Sequence, residues 1–127
     1  MEYRLVAPLR VPVSGKQDWI LNMNNYKGVH FMKLNKAKVA YKEIMREQIE
    51  TLPVLSEPIS VTYVLYPKTK RLGDLMNVVS IHSKFLLDAL QEYGKITNDT
   101  WFEVPEEVTA YGYVDKADPR LEIIIRI

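Results

Sequence analysis

Residues 71–100 read RLGDLMNVVSIHSKFLLDALQEYGKITNDT, and their reading decides the fold. Val78, Ile81, Phe85, Leu86, Ala89 and Leu90 recur at intervals of three and four, the period of a helix that buries one face. Val79 and Leu87 widen that face, which places the helix against a sheet and, on its second side, another chain. Asp74 precedes the apolar run, where a carboxylate accepts free N–H groups and meets the positive end of the helix dipole. Gly94 suits the left-handed residue that often ends a helix. The spacing therefore predicts a helix that starts after Asp74 and ends near Glu92 or Tyr93.

The polar residues of that helix form a stripe. Asn77, Lys84 and Asp88 fall within about 40° of one another at 100° per residue. Lys84 and Asp88 fit an ordinary i,i+4 surface pair. They also fit a cleft, in which Asp74 and Asp99 hold a divalent cation and Lys84 offsets phosphate charge. Asp88 lies about 16 Å beyond Asn77 along a regular helix, too far to share a metal with the helix entrance. Asp99 lies beyond Gly94, and five extended residues reach about 17 Å, so the chain could carry it back. The site expected from the residues is Asp74 with Asp99. Asn77 and Lys84 support it, and Asp88 stands behind it or on the surface.

Composition narrows the classes. The chain has 127 residues, the size of one domain able to bury a core. It has no cysteine, which excludes a disulfide framework, a thiolate nucleophile and a cysteine zinc site. Two histidines, His30 and His82, are too few for a histidine-rich metal site. No apolar run reaches the length of a membrane span and no signal peptide is evident, so a cytoplasmic protein is expected. A net charge of +1 leaves any DNA-binding role to local patches.

Outward from the central stretch, residues 2–7 alternate as a strand. Pro8 and Pro12 exclude a central strand between them. Residues 14–28 are polar and, over Asn22–Gly28, rich in Asn and Gly, which predicts turns in either a long ordered loop or a mobile hairpin. Residues 34–52 predict a helix capped by Asn35, with Ala37, Ala40, Tyr41, Ile44, Gln48 and Ile49 facing the core. Lys38, Lys42 and Arg46 make a basic stripe on it, interleaved with Glu43, Glu47 and Glu50. That pattern fits a solvated, salt-bridged face or an edge that follows phosphates. Residues 59–66, ISVTYVLY, predict a central strand buried on both faces. Lys68, Lys70 and Arg71 form a basic loop that would attract a phosphodiester backbone. Val104–Glu107 reads as a turn. Residues 108–114 and 120–127 read as strands, with Gly112 a bulge. The expected fold is α+β: a single domain over residues 1–127, with two main helices on one face of a small mixed β-sheet.

The ordered set Asp74-Leu75-Met76-Asn77, Lys84-Phe85-Leu86-Leu87-Asp88-Ala89-Leu90, Gly94-Lys95-Ile96, Asn98-Asp99 and Pro119-Arg120-Leu121-Glu122-Ile123 resembles the RusA-type Holliday junction resolvases. The likeness extends to the Asn24-Asn25-Tyr26 loop and is greatest to members encoded by phages and prophages. It implies a homodimeric, Mg²⁺-dependent endonuclease, with Mn²⁺ as a substitute, that binds four-way DNA junctions and resolves them by paired symmetric nicks in recombination and repair. By that resemblance Asp74 is the first catalytic aspartate, Asp99 the last and Lys84 the lysine, with Asn77, Asp88 and Asn98 in support. Lys68, Lys70, Arg71, Lys38, Lys42 and Arg46 would follow the DNA. The family's middle aspartate falls at Met76, whose thioether a hard cation does not favour. The alternative is a catalytically weakened junction-binding or structural phage protein.

Overall fold

The computed structural model describes residues 1–127. In chain order they form β1 (Glu2–Ala7), β2 (Arg10–Ser14), β3 (Gln17–Ile20), α1 (Met23–Tyr26), α2 (Phe31–Glu50), β4 (Ser60–Tyr66), α3 (Leu75–Glu92), β5 (Glu106–Tyr111) and β6 (Arg120–Arg126). The main sheet is mixed and runs β1-β6-β4-β5, and β2 and β3 make a separate hairpin. The fold is the α+β class expected from the sequence, a mixed sheet with two long helices in one domain.

Strand alternation explains the sheet. β6 is antiparallel to both β1 and β4, and its register sets Leu5 and Tyr63 on either side of Ile123. Val61, Tyr63 and Leu65 of β4, Leu121, Ile123 and Ile125 of β6, and Leu5 and Ala7 of β1 are buried together. They share one core with Ala37, Tyr41, Met45 and Ile49 of α2 and Val79, Phe85, Leu86 and Leu90 of α3. β5 is parallel to β4, so the chain must cross over between them, and α3 is the crossover. α3 therefore runs antiparallel to both strands, with its C-terminal end beside the start of β5.

Several expectations are corrected. β4 is central, but its alternate residues Ser60, Thr62, Val64 and Tyr66 are only half-buried, because the helices cover one face of the sheet. Of the loop and hairpin readings left open for residues 14–28, the structure has the hairpin, β2 with β3, followed by one helical turn. Val11, Val13, Trp19 and Leu21 are buried, and the driving force is their packing on the helices, with Trp19 stacked on Phe85 at 6.0 Å. Gly15, at φ 52°, turns the hairpin. Pro12 is tolerated because the pairing shifts register between it and Ser14. α2 begins at Phe31, capped by His30 rather than Asn35. The His30 Nδ1 accepts the Met32 N–H at 3.2 Å.

β5 begins at Glu106, where a turn was expected, and ends at Tyr111. Glu107 is held there by hydroxyls from two elements: Tyr63 Oη and Ser83 Oγ both donate to it at 2.6 Å. Gly112 is no bulge. Its N–H donates to the Leu65 carbonyl, and a Cβ there would stand 2.5 Å from the Tyr66 ring. No helix is long and apolar enough to cross a membrane.

Candidate active site

Both ends of α3 follow from the residues that stop it. The Asp74 carboxylate accepts the Met76 N–H at 2.9 Å, an N-cap as expected. Gly94, at φ 72°, ends the helix, and the N–H groups of Lys95 and Ile96 turn back to the Leu90 carbonyl. Asp74→Ala should therefore lower unfolding stability by about 1 kcal/mol in urea denaturation. No loss would mean that the cap does not act.

The segment after Gly94 is pinned to the 52–59 connection. Leu55 N–H donates to the Lys95 carbonyl at 2.7 Å, Lys95 Nζ donates to the Leu52 carbonyl at 2.6 Å, and Ile59 N–H donates to the Glu103 carbonyl at 2.9 Å. Ile96 is buried between these ties. The chain is thus held beside the C-terminal half of α3, and Asp99 arrives opposite that half. The Asn98 side chain accepts the Asp99 N–H at 2.9 Å.

A cleft of about 200 Å³ results, lined by Tyr26, Lys38, Lys84, Phe85, Asp88 and Asp99. Two carboxylates and two ammonium groups converge on it from α2, α3 and the following segment. The Lys84 ammonium sits 5.9 Å from the centre of the Tyr26 ring, a cation–π contact. Asp88 is fixed from α2. Lys42 Nζ lies 3.2 Å from Asp88 and 3.2 Å from Glu92. Burial pulls the Lys42 pKa down, but hydrogen bonds to Asp88 and Glu92 outweigh it and hold the ammonium above its ordinary value.

This arrangement revises the expected site. Lys84, Asp88 and Asp99 come together, but Asp74 does not line the cleft. Ten helical residues put it about 15 Å from Lys84, and fourteen put it about 21 Å from Asp88. Asp99 lines the cleft and Asp74 does not, so the structure does not bring them together there as the spacing had suggested. Asn77, three residues into α3, is likewise remote. Asp88 takes the place beside Asp99 and pairs with Lys42, not with Lys84 one turn away.

The basic stripe divides. Lys38 faces the cleft, whereas Lys42 is neutralised by two carboxylates and Arg46 is paired with Glu50 at 2.8 Å and Glu43 at 3.8 Å. Lys42 and Arg46 are thus not the free phosphate-following edge expected of them. Lys68, Lys70 and Arg71 are exposed, but in the loop before α3, at the end away from the cleft.

Tyr26 was missed as a lining residue because the Asn-rich run hid a helical turn capped by Asn22, whose side chain accepts the Asn25 N–H at 2.7 Å. The neighbouring Asn24, Asn25 and Lys27 line a larger open groove of about 500 Å³. Its one carboxylate is Asp18, so it lacks the paired acids of the cleft.

No group of three or more histidine, aspartate or glutamate side chains forms a cation cage. A pair of carboxylates nevertheless suits Mg²⁺, which keeps most of its water and binds through one or two carboxylates together with substrate phosphate. Asp88 and Asp99 are the residues that fit it. No protein-family model matches the chain, and no curated protein shows significant similarity to it.

Proposed function

We propose that this chain is a Mg²⁺-dependent, structure-specific endonuclease that nicks branched DNA, above all four-way junctions, and that it acts as a two-fold dimer. The observation that carries the reading is the cleft in which Asp88 and Asp99 face Lys84 and Lys38. A phosphodiester is an anion whose hydrolysis adds further negative charge, and these four groups are of the kind that hydrolysis requires. The ordered resemblance to RusA-type resolvases supports the choice of branched DNA. A two-fold dimer would offer paired sites to a two-fold substrate.

The roles divide by charge. Lys38 and Lys84 draw the phosphate into the cleft, and Lys84 offsets charge on the departing oxygen. Asp88 and Asp99 would hold Mg²⁺, which when bound would supply Lewis acidity toward the phosphoryl oxygen and a more acidic water. Lys42 holds Asp88 in place through their ion pair at 3.2 Å. Tyr26 fixes the Lys84 ammonium through its ring face.

The test is nicking of a synthetic four-way junction with Mg²⁺ or Mn²⁺, comparing wild type with Asp99→Asn. Paired symmetric cuts are expected, reduced at least ~100-fold by the substitution. A second reading, a junction-binding protein with weakened chemistry, is favoured by one observation: Met76 stands half-exposed at the helix entrance where the family pattern has an aspartate. Tight junction binding without cuts in either metal would select it.

A further inference from the structure

Two large aromatic side chains follow the cleft directly and have no part in the core. Trp101 is 88% exposed and Phe102 73%, whereas the other tryptophan, Trp19, is 3% exposed. Their turn is not loose. Phe102 N–H donates to Thr100 Oγ1 at 3.2 Å, Val104 N–H to the Thr100 carbonyl at 2.9 Å, and Thr100 N–H to the Glu103 carboxylate at 3.1 Å. The Thr100 hydroxyl also donates to Glu103, whose carbonyl accepts the Ile59 N–H. The backbone thus presents the two rings to solvent from a braced turn, within three residues of Asp99.

Their setting points to one kind of occupant. The pair is flanked in sequence by the polar residues Asn98, Asp99, Thr100 and Glu103. Two separate ring faces beside a cleft lined by lysines suit flat, heteroaromatic groups attached to phosphates.

We propose that Trp101 and Phe102 form a stacking platform for unpaired or unstacked bases of the DNA strand held in the cleft, and that this platform makes branched DNA preferred over linear duplex. The proposal rests on the endonuclease reading. A regular duplex keeps its bases stacked on one another, so only a branch point or frayed step offers a free base face. The rings therefore contribute to junction binding and little to duplex binding.

The test uses the full chain, a four-way junction carrying 2-aminopurine at the branch point and a linear duplex of the same sequence. Wild type should bind the junction with 2-aminopurine fluorescence staying low, because the base exchanges stacking on its neighbours for stacking on a ring, and Trp101 emission should be quenched while buried Trp19 is unaffected. Trp101→Ala and Phe102→Ala should each weaken junction binding roughly tenfold, with duplex binding unchanged. Trp101→Phe should retain most of the affinity, because a ring face remains. Junction binding and nicking by the double alanine variant at wild-type levels would overturn the platform and leave the endonuclease reading standing. Failure of wild type to bind either DNA would overturn both. A shift of Trp101 emission with protein concentration, without DNA, would assign the rings to self-association and overturn the platform alone.

Discussion

Asp88→Asn should reduce Mg²⁺-dependent nicking on the order of 1000-fold while junction binding and fold persist, and Asp74→Asn should leave the rate within about twofold. The contrast separates the site seen in the fold from the site suggested by sequence order. Asparagine keeps the shape of aspartate and removes its charge. At position 88 that takes away one of the two carboxylates facing the cleft. Several kcal/mol of charge stabilisation in the transition state go with it. The fold loses little, because the Asp88 side chain is 48% exposed and Lys42 retains Glu92 at 3.2 Å. A half-exposed ion pair contributes about 0–1 kcal/mol. At position 74 the same change keeps the cap, since asparagine caps as well as aspartate. Single-turnover nicking with saturating enzyme, read beside gel shift and thermal melting, distinguishes the cases. Full activity in Asp88→Asn with loss in Asp74→Asn would return the chemistry to the helix entrance and sink the Asp88–Asp99 assignment.

That Asp74 lies away from the cleft lined by Asp99 has a topological reason. Asp74 opens α3 and Asp99 follows it, so the two seem close whenever the intervening chain is imagined to fold back along the helix. The parallel pairing of β4 with β5 forbids that path. β5 must start where α3 ends, and the segment carrying Asp99 is spent reaching it, tied to Leu55 and Ile59 on the way. Parallel pairing is a non-local fact, and nothing in residues 94–106 announces it. The partner of Asp88 was hidden for the same reason. Spacing along one helix suggests Lys84, whereas Lys42 comes from another element.

What was legible had a strong local cause. Asp74, the apolar period and Gly94 bounded α3 closely, because cap, face and left-handed exit agree. The alternation in residues 2–7 and the β-branched and aromatic run in residues 59–66 marked two strands of the main sheet, and residues 120–127 a third. The hairpin of β2 and β3 stayed one of two readings because Pro12 and the polar run through Asp18 offset the alternation of Val11, Val13, Trp19 and Leu21. β5 was displaced because Glu106 and Glu107 look like turn residues until Ser60, Tyr63 and Ser83 are placed beside them. At α2 the cap was a histidine, which is not among the usual capping residues.

Between pH 8 and pH 5 the folded chain should lose about 2 kcal/mol of stability through His82 alone. The ring is fully buried on α3, and neither nitrogen has a protein hydrogen-bond partner. Its neighbour, Tyr41, lies edge-on at 5.9 Å, and the Tyr41 hydroxyl also lacks a partner, so no anion or acceptor offsets a charge on the ring. Burial pushes the His82 pKa down to about 3. The unfolded chain titrates near 6.5. Because the folded value is the lower one, neutral His82 contributes its full stability above about pH 6.5, and that contribution drains as pH falls toward 3, at ~1.4 kcal/mol per unit. Glu2 and Asp115 do not obscure this window. Hydrogen bonds from Arg126 and Arg120 hold their carboxyls below the usual range, so their stabilisation is present above the unfolded carboxylate pKa of about 4 and is lost only on the acid side of it. Urea denaturation at half-unit steps from pH 8 to 5 should therefore show a decline in wild type. His82→Leu should flatten it, because leucine has no proton to accept and similar bulk. Tyr41→Phe should leave the slope intact and cost little at any pH, since it removes a hydroxyl with no partner. A flat wild-type profile would show that His82 takes up its proton within the folded chain, and the link between burial and acid lability would fall.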